Sequence, residues 1–250
     1  MTRVLIIPAA GLGTRLGGAV AKPLAAVNGR PMLDHLAGLY APFVDRFVVI
    51  AHPSFAGAIE RWAGPRGNVA VAVQPAPTGM LDAIMLGAAT VAEHEARSVW
   101  ITWADQIGVL PATLARLADL TGGESPPALA LPTAVRPQPY IHFDRDASGR
   151  IVRLRQRREG DDMPAKGESD MGLFALARDT YDVDLAEYAR TVTPGGATGE
   201  RNFLPFIPWL ARRRAVVTFP CTHPSEAVGI NTPAELDEVA AWLRSRATGT

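Results

Sequence analysis

Short apolar runs alternate with longer amphipathic stretches along the first half of the chain, and that alternation constrains the fold more than any other feature. Runs at 4–7, 46–51, 68–73 and 98–103 are β-branched and almost continuous in apolarity, whereas 32–39, 55–62, 81–92 and 110–120 have helical character. A strand covered on both faces reads as an unbroken apolar run, and strands that alternate with helices build parallel βαβ units. The expected architecture is an α/β doubly wound sheet. Ligands of such sheets bind beyond the carboxyl ends of the strands, here the loops after Ile7, Val73 and Trp103.

From residue 128 the pattern changes. Segments 128–133, 140–143, 151–156 and 171–175 read as strands with few helical stretches between them, and 157–169 is polar and rich in turn residues. The expectation is a small additional β-sheet laid over the mouth of the crevice. The tail returns to α/β form with a helix at 201–213, a strand at 215–219 and a helix at 233–244. A chain of 250 residues buries one substantial core. The expected organisation is one domain over 1–250, in two halves at about 1–127 and about 128–230 with a C-terminal helix at about 231–250.

Directly behind the first strand stands Ala9-Ala10-Gly11-Leu12-Gly13-Thr14-Arg15, and Ala21-Lys22-Pro23-Leu24 follows one short loop later. Small residues in such a turn let backbone N–H groups close on phosphate oxygens. Arg15 adds a planar fork and Lys22 a compact point charge, so the two can share one polyphosphate. The run lacks the third glycine of the dinucleotide fingerprint and the GK[ST] of a Walker A loop.

GxGTR followed by Lys-Pro resembles the signature of the nucleoside-diphosphate-sugar pyrophosphorylases, which join a nucleoside triphosphate to a sugar 1-phosphate. Within that family the chain is most similar to the uridylyltransferase domain of the bifunctional bacterial enzymes that make UDP-N-acetylglucosamine. The resemblance implies a Rossmann-like mixed sheet, magnesium dependence and release of pyrophosphate. It assigns Ala9, Ala10, Gly11, Gly13 and Thr14 to nucleotide binding, with the Ala10 and Gly11 backbone beside the base, Arg15 to the β- and γ-phosphates, and Lys22 to the α-phosphate and the sugar phosphate. Gln74 and Gly79 match the base-reading turn, which favours a pyrimidine nucleotide. Asp105 and Asn231 match the magnesium ligands, although Asp is also a common turn or cap residue and Asn231 precedes a plausible helix start. Tyr140, Gln156, Asp170 and Gly172 match the acceptor side.

The departures cluster there. Pro8 stands where leucine is usual, Ile141 replaces a glycine, Gln156 replaces an acidic residue with Glu159 nearby, and Asp170-Met171-Gly172 replaces Asn-Thr-Gly. Attack by a phosphate on the α-phosphorus needs alignment and charge neutralisation rather than a protein base. His142 is therefore expected to be a packed or exposed histidine. Arg153, Arg155 and Arg157 share one face of a strand, where solvation is the commoner outcome and contact with an acceptor phosphate the sharper one.

Twenty-five basic and twenty-five acidic residues cancel, so no overall field recruits nucleic acid or an anionic membrane. Cys221 alone forms no internal disulfide and no thiolate cluster; it is expected to be a small buried packing residue in a reducing compartment. The first apolar run is too short for a signal peptide or a span, and the expected location is the cytoplasm. Two other readings remain: a metal-dependent glycosyltransferase, which would want an Asp-x-Asp where this chain has Trp103-Ala104-Asp105, and a non-catalytic nucleotide sensor.

Overall fold

The computed structural model describes residues 1–11 and 21–247. In chain order the elements are β1 (Arg3–Ala9), β2 (Ala26–Val27), β3 (Arg30–Pro31), α1 (Met32–Tyr40), β4 (Arg46–Ala51), α2 (Ala56–Ala63), β5 (Val69–Val73), α3 (Met80–Met85), α4 (Ala88–Glu93), β6 (Ser98–Thr102) and α5 (Pro111–Thr121). The second half supplies β7 (Leu129–Pro137), β8 (Ile141–Arg145), β9 (Ile151–Gln156), β10 (Lys166–Asp170), β11 (Leu173–Ala177), α6 (Leu185–Thr191), α7 (Phe206–Ala211), β12 (Val216–Pro220) and α8 (Pro233–Ala247).

One eight-stranded mixed sheet forms the spine, in the order β10-β7-β11-β6-β1-β4-β5, with β12 parallel to β7 along its opposite edge. β1 lies between β6 and β4, parallel to both. Its side chains alternate between two cores. Leu5, Ile7 and Ala9 face α1, α5 and α8, whereas Val4 and Ile6 face α3, α6 and α7. This alternation is the period of two expected of a strand, and both faces are apolar because both are covered. Pro8 fits because the β1–β6 ladder ends at Ile6↔Ile101, so its missing N–H costs no rung on that side.

The α/β doubly wound sheet is present, but the second half is distributed differently from the sequence expectation. Only 141–145 and 151–156 form the separate small sheet, the β8–β9 hairpin, whose Phe143, Ile151 and Leu154 join the core of α3, α6 and α7. The segments expected at 128–133 and 171–175 join the main sheet as β7 and β11. So does β10, which begins inside the polar 157–169 stretch and was not expected as a strand. β10 and β11 run along the same edge of β7, and the register slips by two residues between Asp170↔Thr133 and Ala175↔Ala130. Met171 and Gly172 take up the surplus, which is why the strand expected at 171 begins at Leu173.

Two further boundaries differ for identifiable reasons. The helix expected at 81–92 divides into α3 and α4 at Gly87, which lies so close to Ile6 that a Cβ there would approach its Cδ1 to 2.5 Å. The helix expected from 201 starts only at Phe206, because the backbone of Arg201 is committed to Thr78 and Leu81. The β2–β3 hairpin turns through Asn28 and Gly29 at φ 50° and 77°, as an Asn-Gly pair in a tight hairpin favours. No described helix is long and apolar enough to cross a membrane.

Candidate active site

The carboxyl ends of β1 and β6 and the segment before α8 converge. Asp105 stands three residues beyond β6 in a turn closed by Gln106 N donating to Trp103 O at 3.1 Å. Lys22 opens a single 3-10 turn, Lys22–Leu24, whose Pro23 is buried. The Lys22 ammonium donates to Asp105 Oδ2 at 2.5 Å and to Asn231 Oδ1 at 2.9 Å. Residues 83 and 209 positions from Lys22 are thereby gathered on one cation.

The capping reading of Asn231 is settled by its neighbour. Glu235 N donates to Thr232 Oγ1 at 3.3 Å, and Glu235 Oε2 accepts from Asn231 N at 2.9 Å and Thr232 Oγ1 at 3.0 Å. Thr232 thus caps α8, Glu235 reaches back past it to the Asn231 backbone, and the Asn231 side chain is left to the crevice. Asp105 likewise spends its carboxylate on Lys22 rather than on a helix end. Gly229 lies against it, with a built Cβ 3.4 Å from Asp105 Oδ1, so a larger residue there would crowd the carboxylate.

Asp105 and Asn231 form a hard oxygen pair. Magnesium takes one or two such protein ligands and completes its shell with water and substrate phosphates. The seat of the Lys22 ammonium between both oxygens shows that the pair accommodates a cation. Among the described residues no group of three or more His, Cys, Asp or Glu could hold a metal by itself. A metal held there would complete its shell with water and substrate phosphates.

Gln74 is buried, and its amide Nε2 donates to Gly79 O at 3.0 Å. That bond pins the turn before α3. Gly79 adopts φ 123°, and a Cβ there would meet Arg201 N and O at 2.5 Å. Arg201 N donates to Thr78 O at 2.8 Å, Leu81 N donates to Arg201 O at 3.1 Å, and the Arg201 guanidinium binds Asp82 and Ala189 O. Arg201, which the sequence reading did not single out, is the brace of this turn. Gly79→Ala combines a backbone conformation open essentially to glycine with a backbone collision, and is expected to cost about 3 kcal/mol of stability. Urea unfolding checks this; a loss under about 0.5 kcal/mol, the range of an ordinary surface substitution, would show that the turn tolerates a side chain.

Gly172 O accepts from Trp103 N at 2.9 Å, which sets the β10–β11 break beside the Asp105 turn. Gly172 sits at φ 66°, and a Cβ there would collide with the Trp103 ring. Asp170 Oδ1 accepts from Gly172 N at 2.7 Å. Burial pushes its carboxyl up to about 6, against the restraining Gly172 and Asp170 backbone N–H groups and the Arg136 charge. The folded state therefore holds this proton more tightly than the unfolded chain. Its stabilising effect is complete below about pH 4 and is lost as pH rises through about 6. Asp170→Asn is expected to be the more stable form above pH 7 by roughly 2–3 kcal/mol, with the difference vanishing below pH 4. Parallel melting curves from pH 4 to 8 read this; a constant offset would show that Asp170 ionises in the fold as it does in the unfolded chain.

Tyr140 and Gln156 stand together at the base of the β8–β9 hairpin. Arg157 N donates to Tyr140 O at 2.9 Å, and the Arg157 guanidinium lies 5.4 Å from the centroid of the exposed Tyr140 ring. Gln156 is buried, and its backbone N–H donates to Asp161 Oδ2. Glu159 is engaged by Thr198 Oγ1, Asn202 Nδ2 and Ala197 N, which latch the 195–202 loop. Arg155 pairs with Asp144 and Arg153 with Asp161, so both are internally satisfied strand residues. His142 is half-buried, with Nδ1 3.2 Å from Glu168 O. Cys221 is half-buried rather than buried; desolvation, and next the Glu226 charge, push its thiol up.

Ala9 is buried at the end of β1, Ala10 is half-buried and Gly11 is exposed, with no atom of the described residues within 4 Å of a Cβ built on it. Gly13, Thr14 and Arg15 lie outside the described residues.

Glu226 was missed in the sequence reading although it follows His223 at capping-box spacing. Fully buried, it accepts from Leu110 N, Thr113 Oγ1, Thr222 N, Thr222 Oγ1 and His223 N. It fastens the segment leading to Asn231 onto the start of α5.

The family model for the MobA-like NTP transferase domain matches residues 5–169. The bifunctional protein GlmU of Sorangium cellulosum is 28% identical over 249 residues, covering 96% of this chain and 52% of the relative. GlmU of Rhizorhabdus wittichii is 32% identical over 254 residues, covering 96% and 53%. The chain spans about half the length of these curated relatives. The inositol-1-phosphate CTP transferase of T. maritima shares the fold, with a TM-score of 0.69, 16% identity and 96% coverage of both chains. The chain belongs to the MobA-like NTP transferase domain family and is a nucleotidyltransferase.

Proposed function

We propose that the protein transfers the nucleotidyl group of a nucleoside triphosphate, with a pyrimidine favoured, to a sugar 1-phosphate or related phosphorylated acceptor, releasing pyrophosphate. The observation that carries this reading is the convergence of Lys22, Asp105 and Asn231 beyond the carboxyl end of the sheet. The acceptor phosphate is already an anion, so no protein base is needed. The demands are alignment and neutralisation of charge at the α-phosphorus.

Asp105 and Asn231 would hold Mg2+, which would supply a Lewis acid on the phosphate oxygens. Lys22 supplies a mobile unit charge to the α-phosphate. The glycine-rich turn after β1, with Arg15, cradles the remaining phosphates. Gln74, its Nε2 held on Gly79 O, would present its amide oxygen to one edge of the base beside the Gly79 backbone, with Arg201 bracing that turn. Asp170 and Gly172 border the crevice on the acceptor side, and Tyr140 and Gln156 offer the hairpin's contribution.

A matrix of five nucleoside triphosphates against sugar 1-phosphates, aminosugar 1-phosphates and cyclitol phosphates, read as pyrophosphate release with magnesium, tests the reading. The cyclitol arm is included because a protein of the same fold is named for inositol 1-phosphate and CTP. Turnover of a pyrimidine nucleotide with one acceptor class is expected; no release from any pair would reject the assignment.

A further inference from the structure

The chain has only two lysines, Lys22 and Lys166, and its other basic residues are all arginine. The one at the site occupies a particular place. Its ammonium donates to Asp105 Oδ2 at 2.5 Å and to Asn231 Oδ1 at 2.9 Å, with the lysine and aspartate side chains 18% and 12% exposed. These are the two oxygens that fit a divalent cation.

We propose that Lys22 is the resident placeholder of the cation seat, so that divalent metal and the Lys22 ammonium compete for Asp105 and Asn231 and metal loading releases Lys22 to the nucleotide. This rests on the reading of Asp105 and Asn231 as the metal pair. Oxygen ligands approach magnesium to about 2.1 Å, and a doubly charged ion at that distance repels an ammonium held on the same two atoms. One of the two cations must leave.

The framework fixes which. The Lys22 backbone is held by Leu24 N donating to Ala21 O at 2.8 Å and Ala25 N donating to Lys22 O at 3.0 Å, with Pro23 buried behind it. The oxygens are held too: Asn231 N is bonded to Glu235, and Ile230 N lies 3.4 Å from Asp105 O. Only the four-carbon stem of the lysine is free to swing, and a compact ammonium leaves an oxygen pair more readily than a planar guanidinium fork. Lys22 therefore keeps the carboxylate neutralised before loading and becomes available for phosphate afterwards. The order is metal first, lysine second.

The test omits nucleotide. Mn2+ binding is counted by electron paramagnetic resonance for the wild type, Lys22→Ala and Asp105→Asn, and acetylation of the wild type by an N-hydroxysuccinimide ester is followed at Lys22 with and without saturating Mg2+. Exposed Lys166 serves as the internal reference. Competition requires that Lys22→Ala bind Mn2+ at least tenfold more tightly than wild type, and that Mg2+ speed acetylation of Lys22 severalfold while leaving Lys166 unchanged. Equal or weaker Mn2+ affinity in Lys22→Ala, or Lys22 acetylation indifferent to Mg2+, overturns the proposal. If Lys22→Ala does not fold, the acetylation of the wild type decides alone. Loss of Mn2+ binding in Asp105→Asn with no effect of Lys22→Ala would reject the competition while leaving the metal pair and the transfer reaction standing.

Discussion

Asp105→Ala is expected to lower turnover by about three orders of magnitude or more, equivalent to roughly 4 kcal/mol of barrier, while the protein remains folded. The carboxylate is the only charged member of the proposed cation pair, and Asn231 alone offers one neutral oxygen. Folding should tolerate the change because Lys22, freed of its partner, is already partly exposed and can extend into solvent. Lys22→Ala should act differently, costing about 2–4 kcal/mol in the catalytic constant with a smaller effect on nucleotide affinity, as for loss of a charge that matters most in the transition state. Steady-state kinetics with unchanged circular dichroism checks both. Near-normal turnover in Asp105→Ala would remove it from the site.

The largest effect on stability is expected at Glu226. Its two oxygens satisfy five donors drawn from α5, from the segment after β12 and from its own turn, and the residue is fully buried. Glu226→Ala leaves those donors unpaired in a cavity that the surrounding chain cannot easily fill, and each buried unsatisfied group costs about 1–3 kcal/mol. The expected loss is about 4 kcal/mol or more, a large fraction of the stability of a typical domain. Urea unfolding measures it, and a loss under about 1 kcal/mol, the size of a single ordinary hydrogen bond, would show that water replaces the carboxylate. A folded remnant of the variant should also bind metal less well, because the chain leading to Asn231 is fastened there.

The nucleotide half was legible in the sequence because its signals are local. The run at 4–7 declares a buried strand, and Asp105 and Lys22 each stand at a fixed offset from a recognisable element. Their meeting with Asn231 was legible only through the family resemblance, since no spacing rule connects positions so far apart. The second half was harder to read. β10 is a polar strand, Lys-Gly-Glu-Ser-Asp, whose apolar partners come from β7 rather than from its own sequence. The break at Met171 and Gly172 is a matter of register, which depends on where β11 must meet β6 and β7. Arg201 reads as a helix residue until its backbone is seen paired with the turn at Gly79, and Asn28-Gly29 carries a hairpin signal in the sequence itself.

Nucleotidyl transfer is proposed for the site where Lys22, Asp105 and Asn231 meet. Its most direct measurement is the stoichiometry of pyrophosphate and nucleotidyl-acceptor product, made side by side for the wild type and Asp105→Ala with magnesium and the best substrate pair. The expected result is one pyrophosphate per coupled product in the wild type and neither in Asp105→Ala. Pyrophosphate formed without coupled product, or equal product from Asp105→Ala, would contradict it.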